Sequence, residues 1–318
     1  MNTSDISIEI KAKNKKRFWA RVNSQKYLLA VAIICCTCIF IFSYLPLYGI
    51  IYAFKEFDFA YGFAESPWVG LANFREFFFG SDLPKLLYNT LSISILKLIF
   101  GFPAPIIFAL LLTEMAGKSM KRIFQSISYL PYFISWVVVV GLMTSFLSMD
   151  GLINDLLLNL HLIKEPYQYL AQEKLFLPLL ILSDIWKNIG WNSILYLAAI
   201  AAIDPQLYEA ATIDGASKLQ RIRNITLPGI EPTITVLLLF NLAGLFGSNF
   251  DQILLLSQNN VYFRDLADTL DIYVFRMGIN IGRYSFATAA GLFTSVVSFT
   301  LMMGTNKISK MTRGHGIL

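Results

Sequence analysis

Apolar residues gather in six long stretches, at about 27–54, 86–113, 123–147, 175–201, 233–257 and 284–304, with polar segments between them. A helix needs about 20 apolar residues to cross the hydrocarbon of a bilayer, so each stretch is predicted to be a membrane-spanning helix. Within two of the stretches, interruptions combine proline with glycine. Leu45-Pro46-Leu47-Tyr48-Gly49 is predicted to break the first span near its outer end, and Gly101-Phe102-Pro103-Ala104-Pro105 the second near its middle. Proline in a membrane helix frees a carbonyl that must be satisfied inside the protein. Such kinks suit a bundle that lines a pathway or ordinary helix packing, and the sequence leaves both open.

Composition agrees with this pattern. Of 318 residues, 56% are hydrophobic and only 15% charged, where a soluble domain carries about a quarter charged residues. The net charge of +5 is modest, and its placement says more than its size. Lys11, Lys13, Lys15, Lys16, Arg17, Arg21 and Lys26 precede the first stretch; Lys118, Lys121 and Arg122 follow the second; Lys218, Arg221 and Arg223 follow the fourth; Lys307, Lys310 and Arg313 follow the sixth. The first loop holds Glu56, Asp58, Glu65, Glu76 and Asp82, the third Asp150, Asp155, Glu165 and Glu173, and the fifth is balanced. Basic loops stay on the cytoplasmic side, so this alternation predicts an all-α membrane protein of six transmembrane helices with both termini cytoplasmic. The expected organisation is a basic tail at 1–26, a membrane domain at 27–304 and a second cytoplasmic tail at 305–318. The first apolar run is too long for a signal-peptide core and lacks a clear cleavage site, so it is expected to stay as an anchor.

Several chemistries are excluded at this point. Cys35, Cys36 and Cys38 share one apolar run, a spacing that fits neither a useful disulfide nor a zinc site; they are expected to be small core residues. His161 and His315 lie in separate polar segments, and no GxxxxGK[ST] phosphate loop occurs. No metal, cofactor or catalytic cluster is expected on this chain, which reads as a non-enzyme.

The polar segment 203–232, between the fourth and fifth stretches, is the most structured of the loops. Asp204-Pro205 supplies an N-cap and a first-turn proline, and Gln206 to Ile213 reads as a short helix. Gly215 is placed to end it in a left-handed conformation, and Ser217 to cap a second short helix reaching Arg223. Leu227-Pro228 is predicted to end that helix, with Pro232 near the start of the fifth span. The result is an elbow outside the bilayer. Ala210, Ala211 and Ala216 allow close approach of another backbone, and Glu209 and Asp214 offer charge. Such a knob fits a cleft on another protein; Lys218, Arg221 and Arg223 alternatively fit an amphipathic loop on a lipid surface.

Spacing separates these readings. Glu209-Ala210-Ala211 is followed by three residues and Gly215, then by nine residues and Ile225-Thr226-Leu227-Pro228. This resembles the EAA motif, the cytoplasmic coupling loop of the permease subunits of bacterial binding-protein-dependent ABC importers. Phe42 to Gly49, Gly70-Leu71-Ala72-Asn73-Phe74 and Tyr129-Leu130-Pro131-Tyr132-Phe133 resemble the oligosaccharide and polysaccharide branch of that superfamily. The resemblance implies a type I importer fold with a coupling helix between helices 4 and 5. It implies two ATPase subunits carrying ATP and Mg, a second and homologous permease, an extracytoplasmic solute-binding protein, and a carbohydrate substrate imported by alternating access across the bacterial cytoplasmic membrane. It assigns ATPase coupling to Glu209, Ala210, Ala211, Asp214, Gly215, Ala216, Ile225, Leu227 and Pro228.

Polar residues inside spans usually face the bundle interior. Asn192, Asn241, Asn249, Asp251 and Gln252, with Trp191, are therefore candidates for a substrate pathway, and Trp186 and Phe250 are plausible neighbours; interhelical hydrogen bonding is the other reading. Lys97, Asp184 and Lys187 are expected at span ends, without a role. The rival class is an ion-coupled secondary transporter of a small polar solute, for which Asp251 alone is thin support and under which the coupling-type loop has no purpose.

Overall fold

The structure, a computed structural model, describes residues 24–58, 60–247, 250–258 and 260–313. Among them the regular elements are helical, apart from an isolated antiparallel bridge between Lys55 and Trp68. In chain order the helices used below are α1 (Lys26–Phe54), α2 (Ala72–Phe79), α3 (Leu83–Glu114), α4 (Lys118–Phe133), α5 (Trp136–Phe146), α6 (Leu152–Asn159), α7 (Phe176–Ala201), α8 (Pro205–Ile213), α9 (Lys218–Ala243), α10 (Phe250–Gln258), α11 (Val261–Ala267), α12 (Leu270–Phe275) and α13 (Tyr284–Arg313). Among the described residues, four helices are long and apolar enough to cross a membrane: α1, α3, α9 and α13. The bent pair α4 and α5 makes a fifth if counted as one span. Helix α7, with 26 residues, is about 39 Å long at 1.5 Å per residue, so length is not what sets it apart. Asp184, Lys187, Asn188 and Asn192 within it lower its apolarity.

The prolines change the winding of their helices without ending them: around Pro46 the first span passes from α through a π turn to a 3-10 helix, Leu45–Phe54. Pro46, Pro103 and Pro228 each stand two residues beyond a π-helical turn, at Phe40–Tyr44, Lys97–Gly101 and Ile222–Thr226. A proline ring strikes the carbonyl one turn earlier in a regular helix. The wider π turn, closed for example by Phe102 N donating to Lys97 O at 3.2 Å, moves that carbonyl aside. Leu227-Pro228 therefore does not end the elbow's second helix, which runs on through the π turn as the start of α9.

Two other runs also differ from their predicted course. The run at 233–257 is not one helix: α9 ends at Ala243, the chain turns at Gly244 and Gly247, and α10 begins anew. Apolarity continues across the turn because α10 is core, with Gln252, Ile253, Leu256 and Ser257 buried. The run at 123–147 bends by 100° between α4 and α5, where Ser135 caps α5 by accepting from Val138 N at 3.4 Å. Helix α13 extends past 304 to Arg313.

Three buried clusters hold the bundle. Ile106, Ala109, Tyr196, Ile200 and Ile230 join α3, α7 and α9. Ile93, Val140, Phe176, Leu180, Ile253, Leu256 and Phe263 join α3, α5, α7, α10 and α11. Phe77, Leu86, Leu270, Tyr273, Phe286 and Ala290 join α2, α3, α12 and α13. Helix α1 packs chiefly through its C-terminal half, against α13 and α2. Cys35, Cys36 and Cys38 lie on its other half and are exposed, so they are not core residues of this chain.

The loops gather at two ends. At one, Arg283 bonds Glu76 at 2.8 and 2.7 Å, Lys85 pairs with Asp265 at 3.0 Å, and Asn260 Nδ2 donates to Leu170 O at 2.7 Å, which unites the first, third and fifth loops. At this end Asn73 Nδ2 donates to the carbonyls of Ala53 and Lys55, both at 3.1 Å, and so finishes α1. At the other end Glu114, the last residue of α3, meets Lys218 at the start of α9.

Candidate functional site

The elbow forms as its cap residues dictate. Asp204 accepts from Gln206 N at 2.9 Å, with Pro205 in the first turn of α8. Gly215 adopts φ +75°. Around it, Ala216 N donates to Ala211 O at 2.9 Å and Gly215 N to Thr212 O at 3.2 Å, the paired bonds of a Schellman motif. Ser217 and Gln220 then form a reciprocal capping box. The second arm is thus anchored in α9 and the first follows α7 after three residues.

Polar bonds brace the elbow against the bundle. Tyr208 Oη and Thr226 Oγ1 are 3.0 Å apart, and Arg221 Nη1 donates to Thr212 Oγ1 at 3.2 Å. Lys218 Nζ and Arg221 Nη2 lie 3.9 and 4.0 Å from Glu114 Oε2. Two of the three basic residues that favour a lipid surface are thereby turned toward α3. The elbow's outer face presents Glu209, Ala210, Asp214 and Gly215 together with Leu207, Ile213 and Leu219, all exposed. Pro228 is exposed, while Ala211, Ala216, Ile225 and Leu227 are half-buried.

A cavity of about 350 Å³ lies between α3, α7 and α9, within the usual range for small-molecule sites. From α7 it is lined by Asp184, Asn188 and Asn192, from α9 by Asn241, and from α3 by Ser94, Lys97 and Gly101. The α7 residues recur every four positions, so they form one polar stripe on one helix face. Gly101, from the π turn at Lys97–Gly101, and Gly244 and Gly247, from the turn after Ala243, also line it. Lys97 Nζ donates to Gln252 Oε1 at 2.9 Å and lies 3.9 Å from Asp184 Oδ1, which accepts from Asn188 Nδ2 at 2.9 Å. Gln252, 1% exposed, also donates to Leu180 O and Ser183 Oγ at 2.8 and 2.9 Å.

The predicted pathway residues divide accordingly. Asn192 and Asn241 line the cavity. Gln252 lies behind its wall and orients Lys97. Asp251 is exposed, and Asn249 lies outside the described residues. Trp191 stacks on Tyr132 with ring centres 4.4 Å apart, Phe250 packs against Phe275, and Trp186 borders an apolar groove beside α5. Lys97 and Asp184 are not span-end residues as expected; they sit mid-helix and face the cavity. Their spacing signals were present: Asp184, Asn188 and Asn192 repeat at the helical period. Lys187, also expected at a span end, is buried at 6% exposure and donates to Pro131, Tyr132 and Ile134 carbonyls at 3.3, 2.7 and 2.6 Å. It holds the α4–α5 bend.

Residues 101–310 match the family model described as "Binding-protein-dependent transport system inner membrane component". Over 278 residues the chain is 42% identical to Protein LplB of Bacillus subtilis (strain 168), covering 87% of this chain and 86% of that protein. It is 38% identical to the polygalacturonan/rhamnogalacturonan transport system permease protein YteP of the same organism, covering 98% and 96%. The fold is similar to a chain of a bacterial ABC transporter involved in import of the acidic polysaccharide alginate, with TM-score 0.82, 38% identity, and coverage of 93% and 99%. That transporter has also been crystallised with its alginate pentasaccharide-bound periplasmic protein, again at TM-score 0.82.

Proposed function

The chain belongs to the family of binding-protein-dependent transport system inner membrane components, and from that premise we propose that it is the permease subunit of an ATP-driven importer of oligosaccharides. Its relatives include a polygalacturonan/rhamnogalacturonan permease and an alginate importer, which supports a carbohydrate substrate released from a larger polymer. Six spans, α1, α3, the bent α4–α5, α7, α9 and α13, cross the bacterial cytoplasmic membrane with both termini and the elbow inside. The grouping of the three less basic loops at the end opposite the elbow supports this orientation. The tails at 1–26 and 305–318 flank one membrane domain.

The observation that carries the reading is the braced elbow with Glu209, Ala210, Asp214 and Gly215 on its exposed face. Two partner ATPase subunits bind ATP and Mg; this chain binds neither. A second, homologous permease completes the pathway, and an extracytoplasmic binding protein delivers substrate to the far face. ATPase closure moves the elbow, and its anchorage in α9 and its ties to α3 carry that motion to the helices around the cavity. Alternating access follows as these helices exchange one cavity opening for the other.

The test is reconstitution of the complete system in proteoliposomes with Glu209→Arg. Oligosaccharide uptake and the ATP hydrolysis it stimulates should fall together while the permease remains in the membrane. Unchanged coupled hydrolysis contradicts the role of Glu209. Uptake by this chain alone, driven by an ion gradient without ATP, contradicts the importer reading.

A further inference from the structure

We propose that Lys97 is a carboxylate-reading residue of the transport cavity, and that Asp184 is its resting counter-charge. This deepens the oligosaccharide reading, on which it rests, to substrates that carry uronate groups. Among the described residues that line this cavity, Lys97 is the cation and Asp184 the anion. Both are largely buried in mid-helix, with side chains 13% and 16% exposed. Ionisable groups at membrane depth are costly and mark substrate routes or buried pairs. The geometry here is not that of a tight structural pair.

An optimal ammonium–carboxylate hydrogen bond spans about 2.7–2.9 Å; Lys97 Nζ and Asp184 Oδ1 are 3.9 Å apart. Lys97 is aimed instead by the neutral Gln252 Oε1 at 2.9 Å, and Gln252 is fixed by Leu180 and Ser183. Asp184 Oδ1 takes the Asn188 amide. An ammonium group has three donors, so Lys97 can hold Gln252 and still grip an entering carboxylate. Asn188, Asn192 and Asn241 face the same space and suit sugar hydroxyls. A neutral sugar can use the amides and the ammonium donors, but it gains no charge-assisted bond from the cation. When the uronate moves on, Asp184 again neutralises Lys97, which keeps the hold weak enough for release, as transport requires.

The experiment measures equilibrium binding of trigalacturonate and of its neutral methyl ester to the complete permease–ATPase complex in nanodiscs, without binding protein. The wild type should prefer the acid by about tenfold or more. Lys97→Gln should lose that preference through weaker acid binding, with ester binding unchanged, and Lys97→Arg should retain it. Equal affinity of the wild type for acid and ester overturns the proposal, as does an undiminished preference in Lys97→Gln or failure of both probes to bind. Co-purification of Lys97→Gln with the ATP-binding subunits at wild-type yield separates a lost subsite from a misfolded protein; failure of both Lys97→Gln and Lys97→Arg to assemble assigns Lys97 to structure and overturns the proposal. ATP-driven uptake of neutral oligosaccharides by the complete system, with no acid preference, would remove the uronate claim alone. Absence of ATP-driven uptake of any oligosaccharide would remove the importer reading itself.

Discussion

Lys187 Nζ sits 2.6 Å from the carbonyl oxygen of Ile134, at the point where the chain turns by 100° between α4 and α5. The turn strands carbonyls that no helix satisfies, and in a membrane no water replaces the missing donor. One lysine on α7 donates to three carbonyls there, of which Pro131 O also accepts from Ile134 N at 3.2 Å, and its charge lies 5.5 Å from the rings of Tyr132 and Trp136. Lys187→Met should lower the stability of the purified permease by about 2–4 kcal/mol, since it leaves buried acceptors unpaired. The thermal midpoint of the assembled complex measures this; an unchanged midpoint would show that the bend holds itself.

Close approach elsewhere on α7 gives a second prediction. A Cβ added at Gly190 would run into the backbone carbonyl of Ser128 on α4. Backbone on both sides leaves no flexible group to yield, so Gly190→Ala should cost about 1–3 kcal/mol. Lower yield of folded complex, read by size-exclusion fluorescence, is the expected result. Gly141→Ala, where added Cβ meets nothing within 4 Å, serves as the control.

Gly215 tests the elbow's shape apart from its surface chemistry. No atom lies within 4 Å of a Cβ built there, but its φ of +75° strains any other L residue. Gly215→Val should cost about 1–2 kcal/mol locally and reduce uptake, while the protein still accumulates in the membrane. Gly215→Asn should be milder, because asparagine tolerates the left-handed region. Equal uptake in the valine variant would mean that the elbow's geometry is irrelevant to transport.

The parts of this fold governed by short-range rules were readable from residues alone. Asp204, Gly215 and Ser217 act within a few positions of themselves, so the elbow's caps stand where sequence rules place them. The long apolar runs marked most spans because bilayer thickness sets a minimum length. Pro46, Pro103 and Pro228 misled, because a π turn upstream accommodates each one. The bend at Ile134 was equally hidden: its stabilising lysine is 53 positions away. Apolarity from 233 to 257 concealed a turn because core helices and spanning helices share composition. Lys97 and Asp184 were misplaced because charge was assumed to seek span ends, whereas here the helices enclose a cavity that receives it.

In the proposed importer the elbow's exposed face meets an ATPase and not lipid. A photo-crosslinking amino acid at position 210, in native membranes containing the whole system, tests this most directly. The expected product is a covalent adduct between this chain and the ATP-binding subunit, weakened by Glu209→Arg. Crosslinking to lipid alone, with no adduct to the ATP-binding subunit, would contradict it.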